Sequence, residues 1–235
     1  MVLPAKIFEI RGDFDFPLIV ERLKDFREEE PYQIDEENRG TLATEVLDLE
    51  EKEGMVAGVF SKDFLREHYY KRGLVKTTTT EEAPFWITRS GNRDFLLVLA
   101  PSGARGVKKL LTSQVANKLS ELFFGSVGEI VEVRIPNETL KVLHESNPQA
   151  TNLIWFDDVD IPGVAKLCLS GSGLADTGLY REYIGHGKIW YVVFGVQKRG
   201  IVVGITRNGV VTLFSKSTLD DFIGYILEDL LMLIE

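Results

Sequence analysis

The 235-residue chain is predicted to be an α+β protein made of two similar halves, each an antiparallel sheet with helices on one face. Three observations predict this class. Hydrophobic residues make up 44% of the chain, enough to bury a sizeable core. Short alternating stretches bounded by Gly, Asn and Pro corners recur along its length, the pattern of half-buried strands. Residues 87–91 read ITRSG and residues 205–209 read ITRNG, two hairpin corners close to half a chain length apart.

In the first half (1–125), alternation predicts strands near 5–10, 41–49, 54–60, 73–79, 84–89 and 94–100. Helices are predicted near 16–29 and 104–123, with a helical or loop crossing at 62–72. Val107, Leu111, Val115, Leu119, Leu122 and Phe123 recur at three- and four-residue steps, which gives the second helix one apolar stripe. In the second half (126–235), strands are expected near 128–135, 151–157, 163–170, 188–195, 200–206 and 209–214. Its helices are expected near 137–146 and 217–234, with a crossing at 174–187. Ser217 or Thr218 can cap the closing helix, and Leu219, Phe222, Ile223, Ile226, Leu230 and Leu233 form its buried face.

The echo extends beyond the ITR corners. Ile7–Arg11 (IFEIR) matches Ile130–Arg134 (IVEVR), and Asp48 followed by 54–60 matches Asp157 followed by 163–169. Leu65–Tyr69 (LREHY) matches Tyr180–Ile184 (YREYI). The offsets are 123, 109, 115 and 118, so order is kept while loops drift in length, as in a duplicated unit. A pair of generic hairpin patterns accounts for the ITR corners but poorly for the other matches.

This order of elements resembles the helix-grip arrangement of TATA-binding-protein-like folds, in which each half has a strand, a helix, a run of antiparallel strands and a final helix. The resemblance is architectural, spans nearly the whole chain and rests on no family motif. The extra strand and the crossings at 62–72 and 174–187 depart from it. It implies a saddle whose concave sheet binds nucleic acid, and related doubled folds serve as DNA-binding or adaptor modules.

Composition narrows the function. No apolar run reaches the ~18 residues that cross a bilayer, and MVLPAKIFEIRGD becomes charged too early for a signal peptide, so a cytoplasmic protein that does not enter membranes is expected. The single Cys168 rules out an internal disulfide and reads as a small buried hydrophobe. With three unpaired histidines, His68, His144 and His186, neither a histidine metal site nor any cofactor is expected. Abundant Glu, Lys and Arg would suit a thermophile.

Net charge is −9, but unevenly spread. Residues 1–61 hold 7 Lys+Arg against 16 Asp+Glu, 62–118 hold 11 against 5, and 119–235 hold 9 against 15. The basic middle therefore points to nucleic acid or another anionic surface, since screening limits each charge's reach to roughly 10 Å. Its strongest signal is the glycine-containing helix start PSGARGVKK, where Arg105, Lys108 and Lys109 share a face beside unpaired N–H groups. A solvated helix face is the plainer alternative. In REHYYKRG, Tyr69 and Tyr70 offer stacking planes and Lys71 and Arg72 offer charge, the usual means of holding a single strand; a connecting helix covering the sheet edge is the alternative. Arg89 and Arg207 sit at the matching corners.

No nucleophile and base pair, Walker loop or dinucleotide-binding glycine pattern is present, so the chain leans away from enzymes. The expected function is a non-enzymatic binding module acting through segment 62–118. Two alternatives are a dimeric protein–protein adaptor and a metal-dependent nuclease using Asp157, Asp158 and Asp160, although a polar turn explains those carboxylates more simply.

Overall fold

The computed structural model describes residues 2–13, 15–33, 39–52, 54–100 and 111–234. The described chain is mixed α+β with twelve strands, and its strand pairs are antiparallel. It divides into two compact units, Phe8–Val131 and Met1–Ile7 with Glu132–Glu235. No helix among the described residues is long and apolar enough to cross a membrane.

The first strand, β1 (Leu3–Ile10), is divided between the units. The unit Phe8–Val131 continues with α1 (Phe16–Lys24), β2 (Arg27–Gln33), β3 (Arg39–Lys52), β4 (Met55–Tyr70), β5 (Gly73–Ser90), β6 (Arg93–Leu99) and α2 (Thr112–Phe124). Strands β2 to β6 pair in sequence order as a meander. Alternation sends Val56 and Phe60 of β4, and Ala83, Phe85 and Ile87 of β5, into one core. Ile19 and Leu23 of α1 and Val115, Leu119 and Phe123 of α2 join the same cluster. Gly58 has no side chain because the Phe85 ring lies across it; a Cβ there would sit 2.9 Å from that ring. Arg22 ties the two helices together, donating to the carbonyl of Leu122 at 2.9 Å and to that of Phe123.

Strand β7 (Ile130–Glu132) is likewise divided between the units, and the other unit continues with α3 (Asn137–Glu145), β8 (Thr151–Asp157), β9 (Leu167–Ser170), α4 (Gly178–Tyr183), β10 (Lys188–Val196), β11 (Ile201–Thr206), β12 (Val210–Leu213) and α5 (Leu219–Gly224). Its ladder order is β1-β12-β11-β10-β8-β9. Thr218 caps α5 as the sequence predicts: its hydroxyl accepts from the Asp221 amide at 3.1 Å. The helical span then loosens to a π-helix at Tyr225–Leu230 and tightens to a 3-10 turn at Leu231–Leu233.

Several local expectations are corrected: the strands expected at 73–79 and 84–89 are one, Gly73–Ser90, and Leu111 and Leu233, expected on buried helix stripes, are exposed. The helix expected at 16–29 stops at Lys24, and Arg27–Gln33 becomes an edge strand because its backbone finds a partner in β3. Residues 62–72 are no crossing: β4 runs unbroken to Tyr70 and β5 from Gly73 to Ser90. Lys71 and Arg72 close that hairpin at φ 46° and 70° without a glycine, so the usual Asn-Gly signal is missing. Cys168 is exposed, because alternation on the short strand β9 turns it outward.

Leu119→Ala, at a fully buried site of α2, is expected to cost about 2–5 kcal/mol. The exposed Leu18→Ala should change little; urea denaturation midpoints of the two variants check this.

Candidate nucleic-acid interface

The β4–β5 hairpin outruns its neighbours. Sixteen residue pairs join the two strands, from Met55↔Thr88 to Tyr70↔Gly73. The ladder of β3 with β4 stops at Thr44↔Lys62, and that of β6 with β5 reaches only Phe85. Beyond those points, among the described residues, the two strands form a ribbon of their own, roughly 25 Å long at about 3.3 Å per residue. At its end Tyr69 is 81% exposed and Tyr70 60%. Alternation sends these rings to opposite faces of the ribbon, with Lys71 and Arg72 at the apex between them.

Ion pairs and hydrogen bonds hold the charged side chains along the ribbon short of the tip. Arg66 pairs with Glu81, and Lys76 with Glu67 at 3.1 Å. Asp63 accepts from the Thr80 hydroxyl at 2.6 Å and from the Ala43 amide at 2.9 Å. Lys71 and Arg72 have no carboxylate partner among the described residues. Lys71 instead lies 5.3 Å over the ring of Tyr70, which leaves its positive charge uncompensated. The four residues singled out from REHYYKRG therefore meet at one projecting point.

The remaining predicted residues do not join them. Arg105, Lys108 and Lys109 lie outside the described residues. Arg89 stands at the far end of β5, roughly 50 Å along the strand from Gly73. It makes a bidentate pair with Asp94 at 2.7 and 3.0 Å, and that carboxylate holds its pKa above the usual guanidinium value. Arg207, in the other unit, makes the same kind of pair with Asp157 at 2.9 and 2.6 Å. Both corner arginines are thus held by an aspartate.

That pairing also bears on the carboxylates proposed for metal. Asp157 has both oxygens turned to Arg207, and Asp160 lies 2.8 Å from His186 Nδ1. Asp158, at φ 52°, is 3.5 Å from Lys188. No group of three His, Cys, Asp or Glu side chains that could hold a metal occurs among the described residues.

Sequence reading missed two features. Trp155 and Trp190 are each 36% exposed and project from neighbouring strands β8 and β10; Trp190 sits at a register shift between Ile189 and Tyr191, where simple alternation fails. The second is a buried polar group around His144, which is 0% exposed. Tyr180 donates to Glu145 at 2.5 Å and its oxygen lies 3.2 Å from His144 Nε2, while the Thr151 hydroxyl approaches Nδ1 at 3.4 Å. No spacing rule brings residues 144, 151 and 180 together.

No protein-family model matches this chain, and no curated protein matches it at a significant level.

Burial lowers the pKa of His144 to about 4, against 6.5 in the open chain, so the folded imidazole is neutral where the unfolded one charges. The unfolded state binds more protons between these values. Stability should therefore be highest above pH 6.5 and fall by roughly 3 kcal/mol as pH drops through about 4. Urea midpoints measured against pH should show this slope, and His144→Gln should flatten it.

Proposed function

We propose that this chain is a non-enzymatic binding module that engages nucleic acid, or a comparable anionic surface, through its basic segment 62–118, with the β4–β5 ribbon as the contact element. The observation that carries this reading is the ribbon tip, where two exposed tyrosines flank two uncompensated cations. Tyrosine rings stack on bases of any sequence, and Lys71 and Arg72 meet phosphates, which positions a strand without reading it. The residues at 105, 108 and 109 extend the same basic segment.

The same reading takes the chain as a doubled fold of the TATA-binding-protein-like kind. It is supported by element order: β1-α1-β2 to β6-α2 and β7-α3-β8 to β12-α5 both run strand, helix, five strands, helix. The ITR corners agree too, each turning on a glycine at positive φ, Gly91 at 56° and Gly209 at 74°. Two differences between the halves run against that reading. Leu65–Tyr69 lies on a strand where Tyr180–Tyr183 lies on a helix, and α4 interrupts the second run of strands.

A dimeric adaptor is the second reading, favoured by the apolar surface of Tyr69, Tyr70 and Leu74 at the tip. One set of measurements separates the two. Fluorescence anisotropy with labelled single- and double-stranded DNA, between about 50 and 200 mM salt, should show affinity falling as salt rises. Lys71→Ala with Arg72→Ala should flatten the salt slope by about 1.4–1.8, and Tyr69→Ala with Tyr70→Ala should weaken single-strand binding about tenfold or more. Absence of binding at low salt sinks the nucleic-acid reading. A sizing-column dimer abolished by the tyrosine variant would establish the adaptor instead, and strand cleavage with Mg²⁺ would establish the nuclease.

A further inference from the structure

The second ITR corner lines a pocket. Arg207 and Asn208, from ITRNG, together with Glu132, Val133, Arg134 and Trp190, surround an open space of about 340 Å³. All six residues belong to the unit that contains Glu132–Glu235. The corner is rigidly set: the Arg207 amide donates to the Trp190 carbonyl at 2.9 Å, and the Ile135 amide donates to the Arg207 carbonyl at 2.8 Å. Gly209 makes the tight turn possible, since a Cβ there would lie 3.1 Å from the Ile7 carbonyl oxygen and 3.3 Å from that of Val133.

The lining offers three kinds of chemistry. Trp190, 36% exposed, supplies an aromatic wall that has the Lys166 ammonium 5.3 Å over its ring, which leaves one ring face for stacking. Arg134 is exposed and has no carboxylate partner among the described residues, so its fork of donors is free. Asn208 accepts from the Thr206 hydroxyl through Oδ1 at 2.5 Å, which leaves its amide nitrogen without a partner among the described residues. Glu132, bonded to Lys6 at 3.1 Å, adds an acceptor at the rim. A plain anion would meet that carboxylate unfavourably. A ligand joining a planar face, a donor-bearing edge and an anionic group satisfies every wall.

We infer that this pocket takes a nucleoside phosphate, with the base stacked on Trp190, its amino group donating to Glu132, a ring nitrogen accepting from the Asn208 amide, and the phosphate on Arg134. The inference deepens the nucleic-acid reading and rests on it: the nucleotide is an unpaired one within a strand, or a free one. Arg207, held by Asp157, contributes a fixed positive wall and not a mobile contact.

Binding of fluorescein-labelled hexadeoxyadenylate to the full chain tests it, with adenosine monophosphate and an abasic sugar-phosphate hexamer as competitors. Trp190→Ala should weaken binding about tenfold while Trp190→Phe keeps most of it. Arg134→Ala, at an exposed and unpaired side chain, should lower the salt slope by about 0.7. A hexamer that outcompetes the mononucleotide assigns the pocket to a strand; equal competition assigns it to a free nucleotide. Full binding in both the Arg134 and Trp190 variants, or an abasic hexamer that competes as well as the adenine one, overturns the inference. If those variants bind normally while the ribbon-tip variants do not, the pocket falls and the proposed function stands. If the wild-type chain binds neither hexamer at low salt, both fall.

Discussion

The sixteen-pair ladder between β4 and β5 is the constraint on which the unit Phe8–Val131 depends. Because successive side chains alternate across it, one register places Val56, Phe60, Ala83, Phe85 and Ile87 in the core and sets Tyr69 and Tyr70 astride the ribbon tip. A slip of one residue would turn the core face to water and reverse the tip at the same time. The inner half of the hairpin is anchored by burial against α1 and α2. That anchorage lets the outer half stand on two strands, a form of marginal stability when isolated.

Electrostatics follows from what the ladders bring side by side. Several described cations of the basic middle segment find a carboxylate across a strand: Arg66 has Glu81, Lys76 has Glu67, Arg89 has Asp94. Exposed pairs such as Lys76 with Glu67 add little stability, but they remove charge from the surface, whereas Arg66 with Glu81 is largely buried. At the ribbon tip, Lys71 and Arg72 have no carboxylate partner among the described residues. The acidic excess of the first 61 residues has its own place in the sheet. Glu28, Glu29 and Glu30 lie on the edge strand β2 beside Pro31, where charge and a missing N–H discourage pairing with another chain.

The group around His144 shows the opposite treatment of polarity. Its imidazole, the Tyr180 hydroxyl and the Thr151 hydroxyl are buried and satisfy one another, which keeps the ring neutral and joins α3, α4 and β8. The neighbouring α3 and β8 and the more distant α4 are fastened by one polar cluster, at the cost of sensitivity to acid.

By itself the sequence determined what is local. Alternation located most strands, Thr218 announced the closing helix, the glycines of both ITR corners marked hairpins, and REHYYKRG identified the tyrosines and cations that stand at the tip. Tertiary structure alone decided that residues 62–72 continue as a ribbon, that Arg27–Gln33 is an edge strand, that Cys168 faces outward, and that Trp190, Arg134 and Asn208 share one pocket. The physical reason is the range of the forces involved. Periodicity and capping act within a few residues, whereas a strand exists only when a distant backbone accepts its hydrogen bonds, and a pocket only when such pairings bring remote side chains together.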